Sequence, residues 1–139
     1  MSVAFVLDCS VAMTWLFREE ATPHTVQLLR RLSAESALVP ALWFLEIANV
    51  IAMGERRGRV SVAQSDVFIA DVSQLAIEVD ATSTESSWTD LLLLCRLHKL
   101  TSYDAVYLEL AVRRRLPLAT LDAPLRKAAK RLGVKLLGK

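Results

Sequence analysis

Ala4–Ser10 reads AFVLDCS. Four apolar residues run into an acid, Asp8, and then into Ser10. A short unbroken apolar run containing Val and Phe predicts a strand covered on both faces. A carboxylate just past the end of such a strand is costly unless something binds it. In an open parallel sheet the same end is where ligands bind. Asp8 is therefore read as the first ligand of a metal site, and the rest of the chain is searched for its partners.

Working outward, Val3–Leu7 is the first strand and Ser10–Phe17 a short helix that Ser10 or Asp8 can cap. Thr22 caps a second helix with Pro23 in its first turn. Ala37–Val39 is a second strand, ended by Pro40. Ala41–Met53, ALWFLEIANVIAM, is a helix with only two polar side chains, Glu46 and Asn49. A helix apolar nearly all round is buried on more than one side. Glu46 and Asn49 share a face, so Glu46 needs a cation, a polar cleft or a route to the helix edge. The helix is expected to stop at Gly54–Gly58.

Ser61 then starts a helix, Ala76–Val79 is a third strand, and a hydroxyl in the polar stretch Thr82–Ser87 caps a helix over Trp88–Leu97, with Leu91–Leu94 on its core face. Thr101–Arg114 is a helix whose Thr101-x-x-Asp104 matches a capping box. Leu116–Leu121 is a fourth strand. Asp122, with Pro124 behind it, caps a helix through Leu132. Gly133 stops that helix, and Val134–Leu137 is a fifth strand. Strands alternating with helices predict an α/β fold: a central, mostly parallel sheet of four or five strands with helices on both faces.

Asp104 and Asp122 each have a complete account as caps, and Asp8 a partial one. What needs a joint explanation is that Asp8, Glu46, Asp104 and Asp122 can all converge at one sheet edge. Carboxylates without His or Cys partners prefer a hard cation, Mg²⁺ or Mn²⁺. A metal so held binds a phosphate oxygen and activates a water for phosphodiester hydrolysis. Ser10, Asn49 and Thr120 would orient the carboxylates or the water. His24 and His98 fall outside any ligand spacing and are read as surface residues. There is no GxSxG, HExxH or P-loop.

The 139 residues suit one domain, 1–139, with a substantial core. At 53% hydrophobic content and a mean hydropathy of +0.35, the chain is more apolar than a doubly covered sheet requires, so an apolar face for a partner is also expected. Leu38–Met53 is too short and too interrupted for a membrane span. No signal-peptide pattern opens the chain, and Cys9 and Cys95 form no disulfide framework, which leads to the expectation of a cytoplasmic protein. The net charge of +2 hides an asymmetry: Arg113–Lys139 holds nine basic residues against Asp122 alone, while the rest carries eight basic and fourteen acidic residues, a net of −6. Basic residues such as Arg126, Lys127 and Arg131 suit phosphate binding; alternatively they solvate the outer face of the last helix.

The motifs FVLDCSVAMTWLF (Phe5–Phe17), VPALWFLEIANVI (Val39–Ile51), RRGRVS (Arg56–Ser61), LTSYDAVYLELA (Leu100–Ala111) and LPLATLD (Leu116–Asp122), in that order, resemble PIN-domain ribonucleases, specifically the toxins of VapBC-type toxin–antitoxin pairs. The family's acidic quartet falls on Asp8, Glu46, Asp104 and Asp122, and its two hydroxyls on Ser10 and Thr120. Cys9 stands where such sequences often carry Thr or Ala. The resemblance implies a PIN-like (Rossmann-like) α/β/α sandwich, Mg²⁺ or Mn²⁺ dependence, endoribonuclease activity on RNA, a homodimer and neutralisation by a cognate VapB-like antitoxin. It also implies a groove for an antitoxin helix, with Trp15, Leu16, Trp43, Phe44 and Ile47 as its lining; plain core is the other account of those side chains.

Two rival readings stand beside this one. One is an aspartyl-phosphate phosphohydrolase with Asp8 as nucleophile, although such enzymes usually carry a second acid where this chain has Ser10. The other is a PIN-fold binding module without catalysis, against which the complete quartet argues.

Overall fold

The computed structural model describes residues 1–82 and 84–139. Five strands, β1 (Val3–Leu7), β2 (Ser36–Val39), β3 (Ile77–Val79), β4 (Leu118–Ala119) and β5 (Leu136–Leu137), form one parallel sheet in the order β3-β2-β1-β4-β5. Among the described residues seven α-helices surround it: α1 (Cys9–Met13), α2 (Pro23–Arg31), α3 (Leu42–Arg56), α4 (Val62–Val72), α5 (Thr84–His98), α6 (Ser102–Arg114) and α7 (Ala123–Arg131). The expected α/β sandwich is observed, with five strands, all of them parallel.

The apolar run of β1 makes it the central strand. Phe5, Val6 and Leu7 are fully buried, as consecutive side chains must be when both faces of the sheet are covered. β1 pairs with β2 on one side and β4 on the other, Leu7 opposite Ala119. The strand order reverses at the β1–β4 junction, which makes its carboxyl end the switch point where an open α/β sheet forms a crevice. α6 packs on β1 and β4, α5 on α6, and α1 on α3.

Several boundaries differ from expectation, each for a visible reason. α3 runs past Met53 and through Gly54 to Arg56, which is within the expected Gly54–Gly58 stop; the bare Cα of Gly54 makes room for a neighbour. A Cβ at Gly54 would stand 3.0 Å from Phe17 Cζ and 3.4 Å from Val60 Cγ1. The residue that turns the chain is Gly58, at φ +72°. The helix expected over Ser10–Phe17 covers only Cys9–Met13, followed by a 3₁₀ turn at Arg18–Glu20. α5 begins at Thr84 rather than Trp88; the position of its expected hydroxyl cap lies outside the described residues. Leu91 is buried and Leu94 is half-buried against the core, whereas Leu92 and Leu93 are 43% and 52% exposed, so only the two ends of that tetrad face the core. β4 and β5 are two residues each, shorter than expected: β4 begins only after Pro117, which has no amide to give to a ladder, and β5 ends at Leu137 as expected but begins at Leu136.

Candidate metal centre

Asp8 leaves β1 with its amide still in the sheet, donating to Ala119 O at 2.9 Å. Its backbone sits at the N-cap position of α1, yet its side chain caps nothing. The carboxylate turns instead to two hydroxyls. Ser10 Oγ donates to Asp8 Oδ2 at 2.6 Å and Thr120 Oγ1 donates to the same oxygen at 2.8 Å. Ser10 Oγ also accepts across the sheet from Leu121 N at 2.9 Å, and Thr120 Oγ1 accepts from Asp122 N, two residues on in its own segment, at 3.1 Å. Asp8 is only 5% exposed and Thr120 is fully buried. The two hydroxyls thus lock the exits of β1 and β4 to one another across the switch point.

Glu46 enters from the middle of α3 and is half-buried. Its Oε1 accepts a short hydrogen bond from the hydroxyl of Tyr107, itself fully buried on α6. Tyr107 was not expected from the sequence. Its spacing, three residues after Asp104 and one turn along the same helix face, places it near the acids without naming Glu46 as its partner. Burial, then the bond to Glu46, drives the Tyr107 phenol far above its ordinary range, so it is a fixed donor.

Asp104 stands in the first turn of α6. Thr101 Oγ1 caps that helix by accepting from Asp104 N at 3.3 Å. The reciprocal bond of a capping box, from the Thr101 amide to the Asp104 carboxylate, is not made. Asp122 does cap α7, its Oδ2 accepting from Leu125 N at 2.9 Å.

The acids perturb one another. Burial, above all, raises the Asp8 carboxyl, against the pull of the Ser10 and Thr120 hydroxyls, and the charge of Asp122 adds to the rise. Burial likewise raises Glu46, with Asp8 and Asp104 contributing. Burial, then the charges of Asp122 and Asp8, raises Asp104. Four carboxylates therefore share one electrostatic field with no cationic side chain among the causes. Between Asp8 and Glu46, burial first and then their charges push the Cys9 thiol up to about 12, which makes it an inert filler.

The donor set is oxygen only, which fits Mg²⁺ or Mn²⁺ and not a thiophilic metal. Among the described residues no three side chains of His, Cys, Asp or Glu are already gathered as ready ligands. Mg²⁺ asks for less: one or two carboxylates, several waters and substrate phosphate.

The PIN domain family profile matches residues 5–131, nearly the whole chain and all four acids. The chain belongs to the PIN-domain family. None of the curated proteins matches it significantly. Among solved structures, PAE2754 from Pyrobaculum aerophilum superposes with a TM-score of 0.73 at 22% identity, covering 98% of this chain and 92% of that one. FitAcB from Neisseria gonorrhoeae gives a TM-score of 0.64 at 17% identity, covering 98% and 96%. At these identities the likeness is one of fold.

Other residues singled out in the sequence sit at varied distances from this PIN-domain centre. Asn49 is exposed on α3, and its amide donates to Met53 Sδ at 4.0 Å, not to any of the acids. Arg126 spans two strand ends: its Nη1 donates to Thr120 O at 2.7 Å and Leu137 O at 3.0 Å. Lys127 and Arg131 are exposed on α7. Trp15 is half-buried and donates through Nε1 to Thr25 O at 2.9 Å. With Leu16 it lines a cavity of about 620 Å³. Trp43, Phe44 and Ile47 line a separate one of about 310 Å³; Phe68 on α4 borders both. Trp43 is only 1% exposed, whereas Phe44 is 51% exposed.

Proposed function

We propose that this PIN domain is a divalent-metal-dependent endoribonuclease and the toxin of a toxin–antitoxin pair. PIN domains are generally nucleases, and the observation that carries the reading here is the shared field of Asp8, Glu46, Asp104 and Asp122. Those four residues would hold Mg²⁺ or Mn²⁺. Bound there, the ion would neutralise a phosphodiester and supply an activated water. The chain's own groups do the positioning. Ser10 and Thr120 fix Oδ2 of Asp8. Tyr107 fixes one oxygen of Glu46 in the same way. The helix cap holds Asp122, and Thr101 sets the first turn from which Asp104 projects.

The phosphohydrolase alternative has less support. The residue two after Asp8 is Ser10, which donates to Asp8 rather than acting as an acid. One oxygen of Asp8 already accepts from two hydroxyls, and no basic side chain contributes to its titration.

An antitoxin is the partner that the apolar surface suits: Phe44, Leu45, Val67 and Ile69 on α3 and α4 are each at least half exposed. A homodimer and a cytoplasmic location complete the proposal. Among the described residues no helix is long and apolar enough to cross a membrane.

The test is cleavage of a mixed RNA pool in Mg²⁺ or Mn²⁺, in EDTA, and with Asp8→Asn and Asp104→Asn. Cleavage should need the metal and disappear in both variants. Full cleavage by both variants would refute the assignment.

A further inference from the structure

A second charged region begins one residue beyond Asp122. The end of α5 with Lys99 just beyond it, and α7 from its first turn to its last residue, border a cavity of about 490 Å³, lined in part by Leu97, His98, Lys99, Pro124, Lys127 and Arg131. Among the described residues no acid is in its wall. Among the described residues Lys99, Lys127 and Arg131 enter no ion pair, in contrast to Arg31, Arg59 and Arg113, each of which is held by a carboxylate. Both ring nitrogens of His98 are shielded from water and have no hydrogen-bond partner; among the described residues only Trp43 Nε1 shares that condition. Unpaired cations converging on one hollow raise a positive potential, and a polar ring without a partner carries an unrecovered desolvation cost.

We infer that this cavity binds a backbone phosphate of a single-stranded RNA, the neighbour of the phosphate presented to the acids. The inference rests on the nuclease reading for the identity of the strand. Ala123 lines the cavity and directly follows Asp122, so acids and cations are successive stations along one path. A phosphate there receives point charges from Lys99 and Lys127 and a planar fork from Arg131. A metal ion is repelled by the same wall. Arg126, whose guanidinium is engaged by two backbone carbonyls, is not part of this set.

The experiment measures binding of a fluorescein-labelled single-stranded RNA by anisotropy in EDTA, across a range of salt. The variant Lys99→Ala/Lys127→Ala/Arg131→Ala is compared with the equally charged control Arg30→Ala/Arg56→Ala/Arg57→Ala. The cavity variant should bind about tenfold more weakly, and its salt slope should fall by about 0.7 for each phosphate that is no longer neutralised. The control should keep the wild-type slope. Equal weakening in the two variants, or an unchanged slope in the cavity variant, would overturn the proposal. Competition by poly-glutamate as effective as that by unlabelled RNA of matched charge would also overturn it, in favour of an acidic protein segment. Failure of the nuclease reading looks different: no metal-dependent cleavage by the wild type, with the difference in salt slope intact.

Discussion

Two junctions of this fold look alike in sequence and behave differently in space. At β1–α1 and at β4–α7 an apolar strand runs into an aspartate at an N-cap position. Asp122 does what the pattern says and bonds the Leu125 amide. Asp8 does not cap its helix; its carboxylate is claimed by Ser10 and by Thr120 from the other junction. The difference teaches that an N-cap position can be a means of delivery. The backbone turn places the carboxylate at the strand end, and a hydroxyl supplied across the sheet decides whether it serves the helix or the site. Asp122 serves its helix and the shared field; Asp8 serves the site alone.

Substitutions can break that comparison. The largest effects fall on activity: Asp8→Asn and Asp122→Asn should each lower metal-dependent RNA cleavage by more than about 100-fold, beyond what loss of an outer partner costs. Stability should then separate the two junctions. Asp122→Ala should cost about 1 kcal/mol through loss of the cap while Asp122→Asn costs little, since Asn caps as well. Asp8→Asn should melt at or above the wild-type temperature at neutral pH, because it removes a buried charge repelled by its neighbours. Thermal melts of the three variants check this order; a large loss from Asp8→Asn would show that the carboxylate is a structural cap after all.

Tyr107→Phe sharpens the role of Glu46 with a smaller effect. Removing the hydroxyl should lower cleavage by roughly tenfold, with the loss in kcat rather than KM, since the ring and its packing remain. An unchanged kcat would reduce Tyr107 to core.

The smallest effect is a pH dependence. Asp8, Glu46 and Asp104 have carboxyls raised above their ordinary values. A raised folded value means that the native state holds protons more tightly than the unfolded chain. Their contribution to stability is therefore complete below the ordinary carboxylate range and is lost as pH rises through the raised values. In metal-free buffer the melting temperature of Asp8→Asn minus that of wild type should grow as pH rises over that interval. A difference that shrinks would mean that Asp8 is held as a favourable anion.

Much of this was legible in the chain because it depends on local pattern. The bounds of β1 follow from an apolar run between polar ends, and the parallel sheet follows from the alternation of elements. Pro23, Pro124 and the caps Thr22, Ser61, Thr101 and Asp122 start helices where their chemistry says. What was not legible depends on contacts between distant segments. Gly54 reads as a stop until Phe17 is seen lying against it. Arg126 reads as a free cation until its guanidinium is seen bridging the ends of β4 and β5. Tyr107 reads as core because nothing local says that its hydroxyl meets a glutamate 61 residues away. His98 reads as a surface residue, yet its nitrogens are shielded in a cavity wall formed by two helices.

The central claim is that four carboxylates, each with a local explanation, act as one site for a hard divalent cation. Calorimetric titration of the metal-free protein with Mn²⁺ tests it most directly, with Asp8→Asn and Asp104→Asn beside the wild type. The account predicts saturable binding to the wild type and at least tenfold weaker binding to each variant, although the two residues lie on different elements. Equal binding by all three proteins would contradict it.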